Sequence, residues 1–210
     1  MLYPIGIQNF EDLRQRGYVY IDKTYLIHSL YHEGKYFFLS RPRRFGKSLL
    51  ISTMDAYFSG KKDLFKGLAI ERLEQEWAEY PVFHIDFNAK VFTFPYELDK
   101  TLETFVATAE DRYGKSPHAQ TLGDRLEYAF AQAYEKTGRK VVVLVDEYDK
   151  PLLATIAHPE LQDSFRTTLK AFYGVLKSMD GCIKFALLTG VTKFGKVSVF
   201  SDLNNLMDIS

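Results

Sequence analysis

Val141-Val142-Val143-Leu144-Val145 is a continuous apolar run, mostly β-branched, closed by Asp146 and Glu147. A strand with one face in water alternates apolar and polar side chains, so an unbroken run predicts a strand buried on both faces. A mainly parallel sheet covered by helices on both sides provides that environment, which puts the chain in the α/β class. The two carboxylates then fall at the carboxyl end of the strand, where open α/β sheets bind their ligands.

A second segment reads as a strand, a tight loop and a helix: Tyr36 to Ser40, then Arg41-Pro42-Arg43-Arg44-Phe45-Gly46-Lys47-Ser48, then apolar positions through Leu50, Met54 and Phe58 to Gly60. The Gly-Lys-Ser ending is that of a phosphate-binding loop, the Walker A motif. In such a loop backbone N–H groups and the helix N-terminus surround a polyphosphate, the lysine reaches its terminal phosphates and the hydroxyl takes Mg²⁺. Arg43, Arg44, Phe45, Gly46, Lys47, Ser48 and Leu49 are the candidate cradle. The generic pattern has a further glycine where Arg41 stands, and Pro42 is expected to fix φ there instead. Taken alone, Gly46-Lys47-Ser48 fits an ordinary strand-to-helix turn equally well.

The Asp-Glu strand, which has the form of a Walker B strand, adds the second half of a nucleotide site. Asp146 would join Ser48 in holding the Mg²⁺ shell, and Glu147 would polarise the attacking water as general base. The bland alternative is a core strand followed by a solvated acidic turn. Both motifs in one chain, in this order, favour nucleotide binding.

The remaining pattern is mixed α/β with no internal repeat. Residues 1–35 predict a lead-in of helix (Phe10 to Arg16, closed by Gly17), short strand (Tyr18 to Ile21) and helix (Thr24 to His32). Leu64, Phe65, Leu68, Ile70, Leu73 and Trp77 mark short helical pieces, and Val82 to Phe87 a strand. Helices follow at Leu98 to Ala109, Leu122 to Thr137 and Leu161 to Met179, then a strand at Ile183 to Leu188, making four α/β-type strands. The expected fold is a P-loop NTPase three-layer sandwich whose mainly parallel sheet carries an additional strand between the Walker A and Walker B strands. Thr189 ends that additional strand. It is the candidate γ-phosphate sensor, joining Lys47, Asp146 and Glu147 as catalytic residues, or it is a simple strand cap before Gly190.

Composition bounds the alternatives. At 210 residues and 46% hydrophobic content the chain can bury one full core. Lys+Arg and Asp+Glu both total 27, so no global field recruits nucleic acid. The single cysteine, Cys182, excludes an internal disulfide, reads as a small buried residue and fits a cytoplasmic location. The five histidines lack metal-ligand spacing, and no segment has the length or apolarity of a membrane span.

Tyr18-Val19-Tyr20-Ile21-Asp22-Lys23-Thr24, the loop Arg41 to Ser48, Val145-Asp146-Glu147-Tyr148-Asp149-Lys150-Pro151-Leu152 and Leu188-Thr189-Gly190-Val191-Thr192-Lys193-Phe194 together resemble the AAA-ATPase-like family of bacterial and archaeal proteins. That family also carries arginine at the first-glycine position, and its members often bear a C-terminal PD-(D/E)XK nuclease-like domain. The resemblance spans nearly all of 1–210 and implies one ATP-binding, ATP-hydrolysing domain, with ATP and Mg²⁺ as its ligands. A helical lid and the nuclease-like domain are expected to be absent here, and turnover by this segment alone to be weak. Adenine over guanine rests on the resemblance, together with the lack of an Asn-Lys-x-Asp signature.

Three readings remain open from the residues. The first is an ATPase whose turnover drives or regulates an attached or partner domain. The second is a nucleotide-dependent switch or scaffold that binds ATP without appreciable hydrolysis. The third is a nucleic-acid-associated module built on Arg14, Arg16, Arg41, Arg43, Arg44 and Lys47, with Tyr18 and Tyr20. Arg43 or Arg44 is a candidate charge-stabilising finger, Arg41 a candidate partner of Asp149, and Tyr25 or Ile21 a candidate contact to the base. Oligomeric state is not readable.

Overall fold

The structure is a computed structural model that describes residues 2–88, 90–193, 199 and 206–210. The chain opens with helices α1 (Phe10–Gln15) and α2 (Thr24–Glu33), then strand β1 (Tyr36–Ser40), α3 (Lys47–Phe58), α4 (Ala69–Leu73) and β2 (Val82–Asp86). It continues with α5 (Pro95–Tyr113), α6 (Leu122–Thr137), β3 (Val141–Asp146), α7 (Lys150–Ala154), α8 (Pro159–Ser178), β4 (Ile183–Gly190) and β5 (Met207–Asp208).

The strands form one sheet in the order β2-β3-β4-β1-β5, with every pairing parallel. β4 therefore lies between the loop strand β1 and the acidic strand β3, as the sequence pattern predicts. Its insertion brings Thr189 opposite Leu39 on one side and next to the end of β3 on the other.

The unbroken apolar run of β3 divides between two cores. Val141, Val143 and Val145 join the core under α5, α6 and α8, whereas Val142 and Leu144 join the one under α1, α2 and α3. All five are at most 5% exposed, so a polar side chain at any of them would be buried on one face or the other. β1 splits the same way, with Tyr36 and Phe38 on one face and Phe37 on the other. The helices are stopped where local chemistry dictates. In α6 the Thr121 hydroxyl accepts from the Asp124 N–H (3.1 Å) while the Asp124 carboxylate accepts from the Thr121 N–H (3.1 Å), and Gly138 closes the helix at φ 66°.

Several expectations are corrected. Tyr18 to Ile21 is not a strand: Tyr18 makes a single bridge to Leu2, and Ile21 is 79% exposed, because no neighbouring strand is available to complete a ladder. Trp77 lies outside any helix, with φ 48°. Cys182 is half-buried rather than buried, at the end of a 3₁₀ turn. The strand β5 and the short helix α7 went unread, both being too brief for a periodic signal. Phe194, in one of the matching strings, lies outside the described residues. No helix among the described residues is long and apolar enough to cross a membrane.

Candidate nucleotide-binding site

The loop after β1 departs from the generic phosphate-binding loop at its first residue. The N–H of Arg41 donates to the Gly190 carbonyl (3.1 Å), prolonging the β1–β4 ladder by one step past Ser40. No turn occurs at Arg41, so no glycine is required there. The chain turns later, at Arg44 (φ 69°) and Gly46 (φ 81°). A left-handed residue that carries a Cβ costs roughly 1–2 kcal/mol, so Arg44 stores strain beside the loop's business end.

Gly46 caps α3, and Lys47 begins it. The Lys47 side chain folds back, its ammonium donating to the carbonyls of Arg41 (3.0 Å) and Pro42 (3.3 Å), with only 5% of the residue exposed. Residues 41–46 are all exposed. The loop is thus closed on its own lysine.

At the carboxyl end of β3 the Asp146 carboxylate accepts a 2.6 Å hydrogen bond from the Thr189 hydroxyl, and both residues are buried. Thr189 also sits 3.4 Å from the Glu147 N–H. The structure therefore aims Thr189 at Asp146, and neither residue lines the cavity described next. Glu147 is turned out of the strand by a left-handed backbone, φ 53°. Burial raises its carboxyl above the ordinary glutamate range; the charge of Lys47 pulls it down, Asp146 pushes it up again and Lys150 pulls it down.

The next four residues lash two loops together. Tyr148, fully buried, donates its N–H to the Thr189 carbonyl (2.9 Å) and its hydroxyl to the Thr192 carbonyl (3.1 Å). Asp149 accepts from the N–H groups of Val191 (3.1 Å) and Thr192 (2.8 Å) and from the Thr192 hydroxyl (2.9 Å). Its expected partner, Arg41, instead donates to the Ser40 carbonyl (3.3 Å), since the carboxylate of Asp149 is already satisfied by the 191–192 backbone. Lys150 donates to the Asn88 backbone carbonyl and side-chain oxygen. Pro151 then enters the first turn of α7.

Gly190 is the point where these contacts leave no room. A Cβ there would meet Tyr148 Cε1 at 2.4 Å, Cδ1 at 2.7 Å and Asp149 Oδ1 at 2.9 Å. Gly190→Ala is expected to lower stability by roughly 1–3 kcal/mol through displaced packing, read as a fall in the thermal or urea midpoint. An unchanged midpoint would show that the Tyr148–Asp149 lashing is loose.

One cavity of about 790 Å³ collects the chemistry, well within the size range of small-molecule sites. Its walls include Arg43, Arg44, Gly46, Lys47, Ser48 and Leu49 from the loop and Glu147 from the far side of β4. Phe45 does not line it and is 68% exposed. Residues distant in sequence thus converge because β3, β4 and β1 are consecutive in the sheet.

The sequence model of the predicted AAA-ATPase family matches residues 4–200. The chain belongs to that family. As a predicted AAA-ATPase it carries a nucleotide-binding, ATPase-like domain. It is also 41% identical over 209 residues to a protein of Azotobacter chroococcum mcd 1 described as an uncharacterized protein in the vnfD 5' region. That match covers 99% of this chain but 40% of the relative's length.

Three parts of the cavity escaped sequence reasoning. Ile5, Gly6, Ile7 and Gln8 form one wall of the cavity, whereas the expected base contacts Tyr25 and Ile21 do not reach it. Asp22 is occupied elsewhere: its carboxylate accepts from the N–H and hydroxyl of Thr24 and from the Ala69 N–H, tying α2 to α4. Asn88 and Lys150 complete the lining. Lys150 stood in a motif without a role, and Asn88 falls just past the carboxyl end of β2, the only signal that could have marked it. Nor do the six basic residues form one patch. Arg14 donates to the carbonyls of Leu64 and Lys66, and Arg16 pairs with Asp12.

Proposed function

We propose that the cavity binds MgATP and hydrolyses it, and that 1–210 acts as one NTPase domain with residues 1–35 as its lead-in. The observation that carries this reading is the meeting of Lys47, Ser48 and Glu147 around one cavity. The residues present fit a polyphosphate. Four cations, Arg43, Arg44, Lys47 and Lys150, face a single lining carboxylate, Glu147. The lysine at the loop's centre already donates to two oxygens, the kind of acceptor that a phosphate would supply in their place.

Ser48, on the cavity wall, would hold Mg²⁺ directly and Asp146, which does not line the cavity, would hold it through water; the ion would supply charge neutralisation at the phosphates. Thr189 fixes the Asp146 carboxylate by its 2.6 Å hydrogen bond. Glu147, at the edge of the same cavity, is the group to orient a water and accept its proton. Arg43 and Arg44, on the cavity wall, would stabilise charge on the transferring phosphoryl group. The apolar wall of Ile5 and Ile7 suits a base, with the Gln8 amide able to hydrogen-bond its edge. Turnover would drive or regulate an attached or partner domain, a role for which the greater length of the relative leaves room.

A second reading, a nucleotide-dependent switch without appreciable turnover, draws on the closure of the loop around Lys47, which binding must undo. Calorimetric titration with ATP, ADP and GTP in Mg²⁺ buffer, followed by phosphate release, tests both. Binding of ATP in preference to GTP with steady phosphate release is the expected result. Binding without release favours the switch, and no heat with any nucleotide removes both readings.

A further inference from the structure

Lys150 is, with Lys47, a fixed cation of the cavity. Glu147 and Lys150 leave a single turn, closed by a hydrogen bond from the Lys150 N–H to the Glu147 carbonyl (3.0 Å), and both side chains line the cavity. Across 62 residues of sequence separation the Lys150 ammonium donates to the Asn88 backbone carbonyl and, at 3.2 Å, to the Asn88 side-chain oxygen. Both acceptors are uncharged. Among the described residues no hydrogen bond or salt bridge joins the ammonium to a carboxylate, and Glu147 acts on it through its field alone. An ammonium has three donors, so one remains after Asn88 is served.

A half-buried positive charge whose hydrogen bonds all go to neutral oxygens, in a cavity where four cations share the field of the one lining carboxylate, is incompletely compensated. An anion completes it. Arg43 and Arg44 are also cationic, but they belong to the exposed loop, whereas Lys150 is set by the start of α7 and by Asn88. Charge that is in place beforehand stabilises a developing anion without reorganisation.

We infer that Lys150, held in place by Asn88, contacts the terminal phosphate of a bound nucleoside triphosphate alongside the loop lysine. It thereby distinguishes triphosphate from diphosphate. Asn88 is a positioning residue, acting through Lys150. This inference rests on the nucleotide reading given above, and it adds a discriminating group to it.

The test compares wild type, Lys150→Gln, Lys150→Arg, Asn88→Leu and Lys47→Ala in calorimetric titrations with MgADP and with a Mg²⁺-bound ATP analogue whose β,γ-bridge is an imide. Lys150→Gln is expected to weaken the triphosphate analogue roughly tenfold while ADP stays within about twofold, the scale of one charge-assisted hydrogen bond. Lys150→Arg should restore most of the ratio, and Asn88→Leu should shift it in the same direction as Lys150→Gln. Equal losses for both nucleotides, or no loss, would overturn the inference and leave Lys150 as a structural tie between α7 and the segment after β2. In that case wild type still binds and Lys47→Ala does not, so the nucleotide reading stands. Wild-type protein that binds neither ligand, or Lys47→Ala that binds as wild type does, overturns that reading and this inference together.

Discussion

Glu147→Gln is expected to lower the rate of ATP hydrolysis by roughly 10²–10⁴-fold while leaving MgATP affinity within about threefold of wild type. The amide keeps the shape of the side chain and its place at the cavity edge, so the packing around the left-handed residue 147 is preserved. What it removes is the lone-pair basicity that takes a proton from water. It also deletes one negative charge from a cavity that the triphosphate must enter, which favours binding slightly. Single-turnover phosphate release, measured beside equilibrium binding, separates the two effects. A variant that retains wild-type turnover would assign water activation to some other group.

Lys47→Ala is expected to weaken nucleotide binding by at least about 100-fold, the loss of an ammonium making two charge-assisted hydrogen bonds to phosphate. The fold should survive. The two carbonyls that Lys47 now serves, of Arg41 and Pro42, belong to exposed residues, so water replaces the ammonium. Titration calorimetry reads the affinity and a thermal melt reads the fold. Retained affinity with an unchanged melt would show that the cavity does not use this loop for phosphate.

The parts of the fold that sequence reasoning recovered are those in which one segment states its own environment. Val141 to Val145 can be buried on both faces and nowhere else, and Leu122 to Thr137 is bounded by its own Thr121 cap and Gly138 stop. The segment 18–21 has strand-forming residues and still forms no strand, because ladder hydrogen bonds depend on a neighbour that local sequence cannot supply. β5 is two residues long and is defined only by lying beside Phe37 and Phe38.

The site divides along the same line. Lys47, Ser48 and Glu147 announce themselves by residue type within motifs, and the sheet order brings them together. Ile5, Ile7 and Gln8 carry no distinctive chemistry and become a wall only through tertiary packing. Thr189 was legible as a polar strand end, but its target was not: the 2.6 Å contact with Asp146 depends on β4 pairing with β3. Arg41 shows the reverse case. Its departure from the glycine pattern looks costly in sequence and costs little in the structure, since the ladder with Gly190 continues through it.

The order of strands also sets a timetable for biogenesis. Among the described residues β1 pairs with β4 and β5, both of which come much later in the sequence, so during translation Phe37 and Phe38 lack these partners until residues 183–190 have left the ribosome. Closing so large a loop makes such pairing slow, and the waiting aromatic strand is the surface on which nascent chains would first stick to one another or recruit a chaperone.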